Sequence, residues 1–194
     1  MQSNLKEVEK EIAKRGISKD KVAEVLSDAP QVKNRRIIGG YASVAIYDRE
    51  GHRITLQALK DAVPRFMEES YYRPITVFHS DITAGRILPK WHNPETGELY
   101  ETKVDDTGWY IVAEVRDDVE IADKIWAEIE KGNIKSFSIA GSSKKKVEVG
   151  GGKYDIEALD IYETALCETP VNQLSKFSLL WNPQKVDIGT GLDN

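Results

Sequence analysis

His79 closes the apolar run PITVFHSD, Ser138 lies inside KSFSIAG, and Glu163 interrupts LDIYETALC. A serine hydroxyl is a weak nucleophile until an imidazole takes its proton, and the imidazole works best when a third group fixes its tautomer and stabilises its charge. Glu163 is the odd one of the three. In a strand with strict alternation Leu159, Ile161, Glu163, Ala165 and Cys167 share a face, and four of those five positions are apolar. A carboxylate there loses its hydration, so either the strand is not buried at that point or Glu163 has a partner. A histidine that becomes cationic would be such a partner.

Each residue also has a bland reading. A lone histidine at a strand end most often makes one satisfied hydrogen bond, and serines on a half-exposed strand bond locally without any function. The surroundings of Ser138 are not the G-x-S-x-G elbow of the hydrolases. Ser136 is a rival nucleophile on the same face of the strand, but Lys135 precedes it. Cys167 is a rival of another kind, and a buried cysteine is usually inert core. His79, Asp81 and His92 would be a metal site only against the spacing, which lacks His-x-x-x-His or Cys-x-x-Cys. His52, in a tight turn, and His92, in a loop, read as surface residues.

Composition narrows the class. A chain of 194 residues with 40% hydrophobic and 30% charged residues fits one soluble domain with a real core and a small appendage. The net charge of -5 argues against a nucleic-acid partner. The basic run Lys144-Lys145-Lys146 reads as a solvated hairpin tip. One cysteine excludes an internal disulfide and fits a reducing compartment. The N-terminal MQSNLKEVEKEIAKRG is charged throughout, and no stretch is long and apolar enough for a signal or a membrane span. The expected location is cytoplasmic.

The elements that must position these residues are mostly strands. Residues 1–34 read as a helical segment, an arm or pro-region, with Leu5, Val8 and Ile12 at helical spacing, Gly16 as a stop and Ser18 as a cap. Residues 35–181 form the main domain, and 182–194 a loose polar tail. Two strands flank the turn Asp48-Arg49-Glu50-Gly51. A helix follows from about Thr55, with Leu56, Leu59, Val63, Phe66 and Met67 on its apolar stripe and Pro64 expected to kink or shorten it. Further strands are expected at PITVFHSD, GRILP and GWYIVAEVRDD, and the clearest helix over 119–131. The strand IKSFSIAG, a hairpin through KKVEVGGGKYDIEAL and a last strand ended by Pro170 complete the domain. With no steady βαβ alternation, the pattern favours a mixed or antiparallel α+β fold.

The pieces GYASV, D-x-x-G, V-F-H-S-D with Gly85 six residues after His79, D-D-T-G-W-Y, K-G-N-I-K-S-F-S-I-A-G and Y-E-T-A-L-C-E-T-P-V-N follow one another from about residue 37 to 180. This series resembles the prohead (capsid maturation) serine proteases of tailed viruses. The last piece also resembles the strand that bears the third catalytic residue of the herpesvirus assemblins. The resemblance implies a small β-barrel surrounded by helices and an endopeptidase that cleaves scaffold and capsid proteins inside an immature shell in the host cytoplasm. It implies Ser138 as nucleophile, His79 as base and Glu163 as the acidic member, where the herpesvirus enzymes have a second histidine. It places the oxyanion donors at the backbone of Val171 and Asn172, and it suggests a homodimer; no cofactor, metal, nucleic acid or membrane is expected. Ala140 and Val171 depart from the family's usual glycine and alanine. The alternative is a catalytically silent capsid-assembly or scaffold-binding module of the same fold.

Overall fold

The computed structural model describes residues 35–69 and 73–182, which lie in the second of two compact units, Arg35–Asn194. The expected N-terminal helical pair and the tail beyond residue 182 fall outside the described residues.

Eleven strands and two helices are present among them. In chain order they are β1 (Arg36–Val44), β2 (His52–Ile54), α1 (Leu56–Glu69), β3 (Pro74–Val77), β4 (Thr83–Leu88), β5 (Lys90–His92), β6 (Leu99–Glu101), β7 (Lys103–Val104), β8 (Gly108–Val115), α2 (Glu120–Glu130), β9 (Ser136–Gly150), β10 (Lys153–Cys167) and β11 (Phe177–Trp181). One large sheet has the order β11-β1-β8-β4-β3-β10-β2, with β7 added to β8 and β9 added to β10. Most pairings are antiparallel, whereas β10 runs parallel to β2 and β3.

The expectation of a barrel surrounded by helices is corrected in two respects. Among the described residues the strand path is open, and the two helices do not surround it. Only one isolated bridge, Ser136 to Lys176, joins the start of β9 to the start of β11. Two hydrogen bonds carry that junction, Phe137 N–H to Ser175 O at 2.9 Å and Phe177 N–H to Lys135 O at 3.1 Å. Beyond it β9 pairs with β10 alone, because the two fifteen-residue strands continue together as a long hairpin around Gly150–Gly152. The three lysines sit on that hairpin's strand rather than at its tip. Lys144 pairs with Asp160 at 3.0 Å and Lys145 with Glu157 at 2.6 Å.

The main core lies between the sheet and the helices. From α1 it takes Ala58, Leu59, Ala62, Val63 and Phe66; from α2, Ile125, Trp126 and Ile129. The helices form because these apolar positions recur at helical spacing and Gly132, at φ 76°, ends the second. Pro64 does not cut α1 short. It lies on the exposed face, where the Lys60 carbonyl it leaves unpaired can be hydrated. Trp109 is wholly buried, with the Phe66 ring edge-on at 5.6 Å. A second, smaller cluster of Ile37, Leu88, Trp91 and Val112 is capped by the β5–β6 hairpin and Trp181.

Candidate active site

The last long strand explains the misplaced carboxylate. Along β10 the pairing with β9 is Ile161 to Gly141 and then Glu163 to Ala140, so Tyr162 is an extra residue in a β-bulge. The bulge reverses which residues face the core. Leu159 and Ile161 pack into the core before it and Leu166 after it, so even positions replace odd ones. Glu163 thereby leaves the face of Ile161 and emerges on the opposite side, with Ala165 and Cys167. The strict alternation read from LDIYETALC fails at this one residue, and the carboxylate is not stranded in the core.

Ser138 reaches the same side by ordinary alternation. Phe137 is fully buried, Ile139 packs on the core, and Ser138 between them points away. Ser138 is registered opposite Ala165 and Ala140 opposite Glu163, so Ser138 and Glu163 are diagonal neighbours, about 7–8 Å apart by strand geometry. One imidazole fits that gap. The glycine required on this stretch is Gly141, where an added Cβ would lie 2.1 Å from the Asp160 carbonyl oxygen. Ala140 is therefore accommodated.

The imidazole comes from the other side of β10. There β3 runs parallel, with Thr164 opposite Ile75 and Ala165 opposite Thr76. The chain then turns at Val77-Phe78-His79-Ser80, where Ser80 N–H donates to Val77 O at 3.0 Å. Both central residues have positive φ, 51° at Phe78 and 53° at His79, as in a type I′ turn. Left-handed backbone costs an L-residue roughly 1–2 kcal/mol. The conformation is anchored by Phe78 N–H donating to Leu166 O at 2.9 Å and Val77 N–H to Ile82 O at 3.1 Å.

The result is a continuous chain of polar contacts. His79 Nε2 lies 2.9 Å from Ser138 Oγ, and its Nδ1 lies 2.8 Å from Glu163 Oε2. With the proton on Nδ1, His79 donates to the carboxylate and accepts from the serine hydroxyl. The second carboxylate oxygen, Oε1, accepts a hydrogen bond from Thr76 Oγ1. Partial burial works to raise the Glu163 pKa, but the hydrogen bonds from Thr76 and His79 and the histidine's charge outweigh it and hold the carboxyl below its ordinary 4.5. Thr76 was missed at the level of sequence. The signal available was its place opposite in phase to buried Ile75 and Val77, three residues before His79.

The rivals fare differently. Ser136 is 1% exposed, sealed beneath the bridge to Lys176, and its hydroxyl has no hydrogen-bond partner. A substrate cannot reach it. Cys167 is buried, and burial first of all, with the neighbouring Glu168 charge, pushes its thiol up to about 11. At neutral pH it holds its proton and packs. His79, Asp81 and His92 are not gathered into a cluster; no group of three such metal-binding side chains occurs among the described residues. His52 Nε2 accepts a hydrogen bond from Lys146 Nζ at 2.8 Å.

Beside Ser138 is a cavity of about 260 Å³, lined among others by Ser138, Ile139, Val171, Asn172 and Ser175. Neither His79 nor Glu163 lines it. The 170–175 turn that forms one wall is tied down: Asn172 Nδ2 donates to Val44 O at 2.7 Å, and Ser175 Oγ donates to Ala42 O at 3.0 Å. The backbone N–H groups of Val171 and Asn172 donate no hydrogen bond within the described residues.

A serine hydroxyl, an imidazole and a carboxylate in hydrogen-bonded series constitute the arrangement used for acyl transfer by serine hydrolases. In sequence the chain matches the model of the phage serine protease XkdF family over residues 25–148, more than half its length. The chain belongs to this family and is a serine protease by that membership. The matched segment includes His79 and Ser138 and ends before Glu163. No curated protein matches the chain. Among solved structures it is similar to the bacteriophage T4 capsid assembly protease, at 16% identity and a TM-score of 0.53, covering 68% of this chain and 80% of that one. That likeness extends to the fold. The KSHV protease solved with a hexapeptide phosphonate inhibitor aligns at 12% identity and a TM-score of 0.43, over 74% of this chain and 64% of that one.

Proposed function

We propose that this chain is a capsid-maturation endopeptidase of a tailed phage, acting inside the immature shell on scaffold and capsid proteins, with its own chain as a further candidate substrate. The observation that carries the chemistry is the unbroken series Ser138 Oγ, His79, Glu163, at 2.9 and 2.8 Å. Membership of a phage serine protease family and a fold like that of a capsid assembly protease support the substrate class.

In this reading His79 Nε2 takes the Ser138 proton as Oγ attacks the peptide carbonyl carbon. Glu163, ionised and fixed by Thr76, holds Nδ1–H and stabilises the imidazolium that forms. The oxyanion meets the N–H groups of Val171 and Asn172, which donate no hydrogen bond within the described residues and belong to the tied-down 170–175 turn that walls the cavity. His79 then gives its proton to the leaving amine. A water, deprotonated by the same nitrogen, releases the acyl group and restores Ser138. The protease domain is taken as residues 35–181.

The test is to incubate the full chain with the scaffold and major capsid proteins of the phage that encodes it and to follow fragments by intact mass. Discrete cleavage that disappears in Ser138→Ala is expected. Intact partners that nonetheless co-sediment with the chain would favour a catalytically silent assembly module instead.

A further inference from the structure

The tip of the β3–β4 hairpin holds two large apolar side chains in solvent, Phe78 at 52% and Ile82 at 42% exposure, on either side of His79 in the chain. Packing does not explain Phe78, since about half of its surface is open. Backbone preference does not explain it either. A turn whose two central residues both have positive φ is filled at least cost by Asn, Asp or Gly, and a bulky aromatic is among the least suited. Phe78 stands at φ 51° in such a turn, directly before the histidine.

The side of the substrate that would meet this ring follows from the reaction proposed above, on which the inference rests. His79 must hand a proton to the leaving nitrogen, so the leaving half of the substrate lies on the histidine side of Ser138. The cavity beside Ser138, whose lining omits His79, takes the acyl half. We propose that Phe78, with Ile82, is the docking surface for an apolar side chain on the leaving-group side of the scissile bond. The occupant is the substrate polypeptide, and the chemistry recognised is an aliphatic or aromatic residue immediately after the cleaved peptide bond. An exposed, conformationally costly ring next to the base is then retained for binding rather than for folding.

Aminolysis of an acyl-enzyme reads this surface without knowledge of the natural substrate. p-Nitrophenyl acetate acetylates Ser138 in the full chain, and equimolar leucinamide and glycinamide then compete for the acetyl group. In that step the amine nitrogen bonds to the acyl carbon, its proton passes to His79, and the bond to Ser138 Oγ breaks as His79 returns a proton to that oxygen. N-acetyl-leucinamide is expected to exceed N-acetyl-glycinamide by roughly tenfold, the scale of one partly buried aliphatic side chain. Phe78→Asn should bring the ratio to within about twofold of unity, and Phe78→Leu should keep the preference. Relief of the turn should meanwhile raise the melting temperature of Phe78→Asn by roughly 2–4 °C. Equal partitioning in the wild type, or an undiminished preference in Phe78→Asn, would overturn the proposal. A lower melting temperature in Phe78→Asn would also overturn it, by assigning the ring to packing. No acetylation of Ser138 at all would instead remove the catalytic reading, and this inference with it.

Discussion

Thr76 donates its hydroxyl hydrogen to one oxygen of Glu163 and leaves the other oxygen facing His79. Both residues project from the same side of the β3–β10 parallel pair, so the contact is built by strand register rather than by a loop. The hydroxyl has two effects. It orients the carboxylate, and it helps to keep that carboxylate ionised where partial burial would otherwise favour the acid. Replacement of Thr76 by Val keeps the volume and β-branching but removes the donor. The kcat for an ester or peptide substrate should fall about 3- to 10-fold with KM nearly unchanged, the net scale of one ordinary hydrogen bond. Its acidic limb should also move to higher pH. Thr76→Ser should restore both. A pH profile of kcat for the three proteins checks this; an unchanged acidic limb in Thr76→Val would show that Thr76 is structural only.

Acid stability should depend on Glu114. Burial acts to raise the pKa of this carboxyl, but hydrogen bonds and charge from Arg35 and Arg86 overcome it, and the net shift is below the ordinary 4.5. Arg86 holds one carboxylate oxygen through Nη2 at 2.8 Å and Nε at 3.0 Å. A depressed native pKa contributes stability that is fully present above pH 4.5 and is lost as the pH falls through the native value. Glu114→Gln should therefore be less stable than the wild type by roughly 1–2 kcal/mol at pH 7, and the gap should close below pH 4.5. Urea titrations at pH 7 and pH 3.5 measure it. A gap that stays constant across that range would contradict the assignment.

Gly85 answers to packing of backbone on backbone. A Cβ added there would sit 2.0 Å from the Glu114 carbonyl oxygen and 3.0 Å from Val115 Cα, so β4 and β8 would have to part. Gly85→Ala should destabilise the domain by about 2–3 kcal/mol or more and should weaken the His79 hairpin that β4 completes. Thermal melts combined with ester hydrolysis test it; a melting temperature within a degree of wild type would mean that the two strands yield without cost.

Much of the site was legible in residue types. A histidine ending an apolar strand, a serine between two apolar neighbours and a glutamate in an apolar alternation each stood out, and the order of the motifs pointed to prohead proteases. Their contact was not legible, because His79 is 59 positions from Ser138 and 84 from Glu163, and only the β3–β10–β9 pairing brings them together. The bulge at Tyr162 is equally a product of pairing. A one-residue slip changes the face of every side chain after it, and nothing in LDIYETALC marks where the slip occurs. Thr76 was hidden for the same reason. The barrel was overstated because the sequence shows strands but not whether the sheet edges meet, and here one bridge joins them.

The most direct test of the account is intact-mass spectrometry of the full chain after incubation with a fluorophosphonate, for wild type and for Ser138→Ala, His79→Ala and Glu163→Gln. One adduct is expected on the wild type, mapped to Ser138, with none on Ser138→Ala, a rate reduced by roughly 10³-fold or more in His79→Ala, and an intermediate rate in Glu163→Gln. An adduct that persists in Ser138→Ala, or a wild type that stays unmodified when His79→Ala does too, would contradict it.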